Sequence, residues 1–142
     1  MGEVSAHLDT IELESIFDDL ERSGKNLRGV LELIALDMVD RVEDEFATEG
    51  HGRWPKLAES TLAKRRKKGR GAMILQDTTH LVQNIDAAWE LDFAEAFTNV
   101  EYAKYHTSKA PRKKIPLRDF MDIDLDEVRE DAAQMLLEEI IG

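Results

Sequence analysis

The side chains able to do chemistry in this 142-residue chain are four histidines and thirty carboxylates, with no cysteine to serve as nucleophile or thiolate ligand. His7, His51, His80 and His106 are far apart, no two stand at i, i+4, and no HExxH pattern occurs. Each is therefore expected to be a surface or loop histidine and not a metal ligand. Asp18-Asp19, Glu43-Asp44-Glu45 and Asp122/Asp124/Asp126 have the residue types for a Mg²⁺ site or a general acid and base. Each falls on or beside the polar face of a predicted helix, where carboxylates are solvated and, near a helix start, suit the dipole. The chain has no GxxxxGK[ST], GxGxxG or GxSxG pattern, and Gly50-His51-Gly52 and Gly69-Arg70-Gly71 are too short to cradle a phosphate. The expectation is a protein that is not an enzyme and carries no cofactor or metal.

The scaffold that positions these groups follows from periodicity. Val4, Ala6 and Leu8 alternate and predict a short edge strand. From Asp9 the spacing turns helical, with Ile11 or Leu13, Ile16, Phe17 and Leu20 in one stripe and Ser23-Gly24 at its end. Asn26 is placed to cap a longer helix in which Leu27, Val30, Leu31, Ile34, Met38, Val42 and Phe46 form the apolar stripe, while Arg28, Glu32, Asp37, Arg41 and Asp44 face away. Gly50, Gly52 and Pro55 break that helix and present Trp54.

A short helical stretch opens at Glu59 or Ser60 and runs into Lys64, Arg65, Arg66, Lys67, Lys68 and Arg70. Two glycines and no apolar periodicity there predict a flexible basic loop at about 63–72. Met73, Ile74 and Leu75 return to the core, and Thr78 to Ile85 reads as a short helix with Leu81, Val82 and Ile85 inward. Ala87, Trp89, Leu91 and Phe93 alternate with small or polar neighbours, and Phe97, Asn99 and Glu101 follow after a tight connection, as in a hairpin. Residues 107–116, with Arg112, Lys113 and Lys114, read as a loop. A last helix starts at Asp124 with Leu125, Val128, Ala132, Leu136 and Ile140 on one face. The fold class is α+β in a single domain over 1–142: two N-terminal helices, one of them long, short helices, a small antiparallel hairpin or sheet, and a C-terminal helix.

Charge is segregated along the chain. Residues 1–50 carry 4 basic and 14 acidic side chains, 51–70 carry 8 and 1, 71–101 carry 0 and 6, 102–118 carry 6 and 0, and 119–142 carry 1 and 9, for a formal net charge of −11. An acidic total argues against a general nucleic-acid coating protein. Two basic islands in an acidic chain suit either solvated loops or self-association, basic loop against acidic helix. No window reaches 18 consecutive apolar residues and MGEVSAHLDT lacks the character of a signal peptide, so the chain is expected to be soluble, with no membrane partner.

Five short motifs then occur in a distinctive order. They are Phe46-Ala47-Thr48-Glu49-Gly50 closing the long helix; Gly52-Arg53-Trp54-Pro55-Lys56-Leu57; Ile74-Leu75-Gln76-Asp77-Thr78-Thr79-His80-Leu81; Tyr102-Ala103-Lys104-Tyr105-His106; and Arg118-Asp119-Phe120-Met121-Asp122-Ile123. The chain resembles the phage virion morphogenesis family, the tail completion proteins of Mu-like and P2-like tailed phages, from about residue 10 to 141. Two positions depart from the family's pattern. Thr79 stands where glycine is common in "L-x-x-T-G-x-L", and Asp119 and Met121 replace the proline and leucine of "R-P-F-L", which predicts a less rigid lead into the last helix. Arg118 and Phe120 are kept.

The residues themselves suggest roles beside the resemblance. Trp54 reads as a plug closing the long helix over the core, or as a partner contact. Tyr102 and Tyr105 share a face at i, i+3, with Ala103 allowing close packing. Arg118 is placed to anchor a carboxylate on the long helix.

The resemblance implies a structural protein of the virion at the tail or neck, with no catalytic group, assembled in the bacterial host cytoplasm. It would act in tail completion or head–tail joining beside other neck, tail tube or head-completion proteins. The symmetry of tails makes a homo-oligomeric ring, a hexamer, the expected state. The alternative is a nucleic-acid-binding module that holds genomic DNA by its backbone through the 64–70 island. A small metal-dependent hydrolase would rest on the acidic clusters alone.

Overall fold

The computed structural model describes residues 4–9, 18, 22, 27–71, 74, 80–107 and 118–141. The expected first helix, its Ser23-Gly24 end, the Asn26 cap, Met73, Leu75, Thr79 and the loop bearing Arg112, Lys113 and Lys114 lie outside the described residues. Within them the architecture is α+β, with four helices and a three-stranded antiparallel sheet.

Helix α1, Leu27–Ala47, is the long helix that the periodicity predicts, about 31 Å of it at 1.5 Å per residue. Val30, Leu31, Ile34, Ala35, Met38, Val42 and Phe46 are buried along one side. That side lies on a sheet formed by β1 (Val4–Asp9), β2 (Asp86–Glu90) and β3 (Phe93–Thr98), in the order β1-β3-β2. Val4, Ala6 and Leu8 of β1 stand opposite Thr98, Ala96 and Ala94 of β3, and Ala87 and Trp89 of β2 stand opposite Ala96 and Ala94. Alanines on the central strand keep the sheet surface low, which lets the leucine, isoleucine and methionine side chains of α1 approach closely. The expected edge strand and hairpin are present.

Two details of the sheet differ from the sequence reading. The first hairpin strand ends at Glu90, Leu91 is 53% exposed in the turn, and Phe93 opens β3 on the face away from Trp89. Alternation alone carries no mark of where a strand stops. Pairing of Glu90 with Phe93 sets that limit. On the outer face His7 stacks on Phe93 at 5.2 Å, with its Nδ1 2.9 Å from Glu95 Oε2.

Helix α2, Glu59–Lys67, begins where the short helical stretch was expected and corrects the expected loop at 63–72 over its first five residues, while Lys68 to Gly71 are turn and irregular backbone. The basic run continues the helix, and the chain leaves it through a Schellman turn: Arg70 N–H donates to Arg65 O at 2.8 Å, Gly69 N–H donates to Arg66 O at 3.2 Å, and Gly69 has φ 67°. Cations in a last helical turn are favoured by the dipole. Arg65 turns inward, is 8% exposed, and donates from Nη1 to the Gly71 carbonyl at 3.3 Å.

After Ile74, which is buried, the expected 78–85 helix is reduced within the described residues to a 3₁₀ turn, Val82–Asn84, flanked by buried Leu81 and Ile85. A second 3₁₀ turn, Glu101–Ala103, leads into the short α3, Lys104–Thr107. Helix α4, Leu125–Ile141, is capped by Asp124, whose Oδ1 accepts the Glu127 N–H at 3.1 Å, and it buries Val128, Ala132 and Leu136. Asp119 does the work expected of a proline before it: its Oδ1 accepts the Met121 N–H at 3.1 Å, fixing the turn. Arg41 of α1 then ties to α4, at 3.0 Å to Glu127 Oε1 and through a close contact to Asp131, while also holding Asp37 at 2.9 Å.

Candidate functional site

The C-terminal end of α1 is built as a reversal. Glu49 N–H donates to Phe46 O at 3.3 Å and Gly50 N–H to Glu45 O at 2.8 Å, a Schellman pattern with Glu49 in the position glycine usually takes. The left-handed backbone continues through four residues, with φ of 53° at Glu49, 68° at Gly50, 57° at His51 and 78° at Gly52. Bonds from Gly52 to Thr48, Arg53 to Gly50 and Trp54 to Glu49 close this turn. A left-handed conformation costs about 1–2 kcal/mol for each residue other than glycine. Tertiary contacts offset it at both places: the Glu49 carboxylate accepts the Ile74 N–H at 3.2 Å, and the His51 ring sits between Glu45 at 2.9 Å and Asp44 at 3.3 Å.

The reversal delivers Trp54 into the core. It meets Phe46 edge-on at 5.9 Å, and Phe46 in turn lies 5.0 Å from Phe120, so three aromatics from three motifs form one cluster. A Cβ on Gly50 would stand 2.3 Å from the indole, so this position accepts only glycine on grounds of space as well as backbone. Gly52 has open space around it and is needed for its φ alone. Leu57 packs at the margin of the core.

Arg118 holds the same segment from the other side. Its Nε and Nη2 donate to the Pro55 carbonyl at 3.0 and 2.6 Å, and Nη2 also reaches the Lys56 carbonyl at 3.3 Å. The expectation of a carboxylate partner on the long helix is corrected: this guanidinium is 7% exposed and clamps backbone oxygens left without helix or sheet partners. Burial, and then the neighbouring Arg65, lower its pKa, while Glu49 opposes them.

Of the clusters at 43–45 and 122–126, Asp44, Glu45, Asp122 and Asp124 are brought to one place, while Glu43 and Asp126 are not. A concave cleft of about 700 Å³ between the end of α1, the 49–52 turn and the start of α4 is lined by Asp40, Asp44, Glu45, Asp122, Asp124 and Glu127, with Arg41, His51 and Arg53. The solvated-face reading fails for Glu45, which is only 4% exposed. The signal was available in the helical phase, since Glu45 follows Val42 by three and Met38 by seven and so falls on the apolar stripe. Burial raises its pKa, His51 and Arg53 pull it down, and Asp122 adds to the rise. Arg53 bonds the Gly50 carbonyl at 2.9 Å, with Nη2 3.9 Å from Glu45. Among the described residues no group of three or more His, Asp and Glu is arranged to hold a metal ion.

The remaining candidates lie elsewhere. Lys64, Arg66, Lys67, Lys68 and Arg70 are exposed at the end of α2, and none of them lines the cleft. Tyr102 and Tyr105 are 40% and 55% exposed around a fully buried Ala103. Tyr102 lies 6.4 Å from His106 and 6.3 Å from His80, and Lys104 Nζ stands 5.6 Å above the Tyr105 ring.

Fold and site together define a small α+β domain with an acid-rich cleft between α1 and α4 and a cationic helix end whose residues do not line it. The chain belongs to the phage virion morphogenesis family, whose family model matches residues 8–140. Membership gives it a structural or assembly role in a phage virion. No curated protein and no solved structure matches the chain. Among the described residues no helix is long and apolar enough to cross a membrane.

Proposed function

We propose that this chain is a non-enzymatic tail completion protein, seated at the head-proximal end of a phage tail or at the head–tail junction, where it works as a homo-oligomeric, hexameric ring. Its neighbours in this reading are other neck, tail tube or head-completion proteins. One observation supports the reading beyond family membership: the exposed cations at the end of α2 are not among the residues that line the acid-rich cleft of the same copy. Identical subunits that present different, complementary surfaces associate head to tail, and such contacts close into rings when the rotation permits. Deleting the gene from the phage that carries it is expected to leave filled heads with separate or defective tails. Fully infectious particles from the deletion would overturn the role.

A second reading is favoured by the exposure of Lys64, Arg66, Lys67 and Lys68 on an ordered helix end. Copies of that end converging on a channel would hold genomic DNA by its phosphates without reading sequence, with a steep dependence on salt.

A further inference from the structure

Every subunit of a head-to-tail ring offers one surface to the neighbour before it and a different one to the neighbour after it. Lys64, Arg66, Lys67 and Lys68 are exposed and have no carboxylate partner among the described residues. Lys64, Lys67 and Lys68 follow the i, i+3, i+4 spacing of one helix face. The Schellman turn at Gly69 fixes the backbone that carries them. A preset backbone lowers the ordering cost of any contact they make.

The cleft is the complementary surface. Six carboxylates line it against two guanidiniums and one imidazole, and those cations are already engaged. Arg41 is held by Asp37, Glu127 and Asp131, His51 by Glu45 and Asp44, and Arg53 by the Gly50 carbonyl beside Glu45. Asp40 and Asp122 are exposed on the rim and have no cationic partner among the described residues. The surplus is therefore negative, concave and open to solvent. No residue of α2 lines it, so the exposed cations of α2 are not engaged by that same copy's cleft.

We infer that the acid-rich cleft between α1 and α4 receives the cationic end of α2 from a second copy of this chain. Each subunit then gives its α2 end to one neighbour and its cleft to the other. The inference rests on the ring reading and names its interface. A second copy is favoured over DNA because the chain's total charge of −11 repels phosphate while the chain itself supplies the acidic complement.

The absence of cysteine allows a clean test. Lys67→Cys and Asp40→Cys chains are mixed and oxidised at low salt. The mixed disulfide is expected in several-fold excess over both homodisulfides, and the excess is expected to vanish at high salt. A statistical mixture overturns the pairing, whether or not the Lys67 surface binds a short DNA duplex instead.

Lys64→Glu with Lys68→Glu on the Lys67→Cys chain, or Asp122→Lys on the Asp40→Cys chain, should each abolish the excess. Combining Lys64→Glu/Lys68→Glu on the Lys67→Cys chain with Asp122→Lys on the Asp40→Cys chain exchanges the charges across the contact, and is expected to recover part of the excess. An excess that survives either one-sided reversal, or that the exchange fails to recover, overturns the electrostatic pairing, with circular dichroism confirming that each variant is folded. The ring reading is checked separately in purified virions: a chain absent from particles defeats the role, whereas a chain present without the cross-link defeats only the interface.

Discussion

Glu45 is a buried carboxylate whose protonation is shifted by the fold. Burial, opposed by His51 and Arg53 and reinforced by Asp122, leaves its native pKa above the ordinary carboxylate value of 4.5. The folded chain therefore keeps this proton to higher pH than the unfolded chain does. Its contribution to stability is undiminished below the ordinary carboxylate range and declines as pH rises towards and past the native value. A Glu45→Gln chain lacks that decline, so its melting temperature relative to the wild type is expected to increase as pH is raised through the same window. Thermal melts from about pH 4 to 7 check this, and a decrease would contradict it. Trp54, edge-on to Phe46, is expected to cost about 3–5 kcal/mol on truncation to alanine, read by denaturant unfolding. An unchanged unfolding curve with lost assembly would reassign this ring from core to interface.

At the scale of elements, Arg118 joins the Trp54-Pro55-Lys56 segment to the lead into α4. Lysine at this position keeps the charge but loses the planar fork that serves two carbonyls. Arg118→Lys is expected to cost about 1–3 kcal/mol, measured by urea unfolding.

The elements most legible in the sequence are those whose signal is local and repeated. The i, i+3/i+4, i+7 stripe of α1, the alternation of Val4, Ala6 and Leu8, and the face shared by Val128, Ala132 and Leu136 each report a single periodicity. The start of α2 at Glu59 was legible, but its continuation through Lys64 to Lys67 was not, because those residues carry no apolar stripe. What holds it is the Gly69 turn and the inward Arg65, a side chain whose type argues for solvent. The partner of Arg118 was misread because a lone guanidinium in a sequence suggests a carboxylate, while the backbone oxygens it serves are set by the fold. Gly50 and Gly52 announced a break. The left-handed Glu49 and His51 between and before them depend on Ile74 and Glu45, contacts that no local pattern encodes.

For the whole molecule, charge that was segregated along the chain becomes charge segregated on the surface. The islands at 1–50 and 119–142 supply α1 and α4, which meet through Arg41 and gather their surplus carboxylates in one cleft. The island at 51–70 supplies an ordered helix end. The central claim, a ring at the head-proximal end of the tail built from head-to-tail contacts, is tested most directly by a reconstruction of the head–tail junction in the intact virion. The expected density is a closed hexameric ring of this fold, with the Lys64 to Arg70 end of each copy seated against Asp40 and Asp122 of the next. A junction without this fold, or copies of it that do not close into a ring, would contradict the claim.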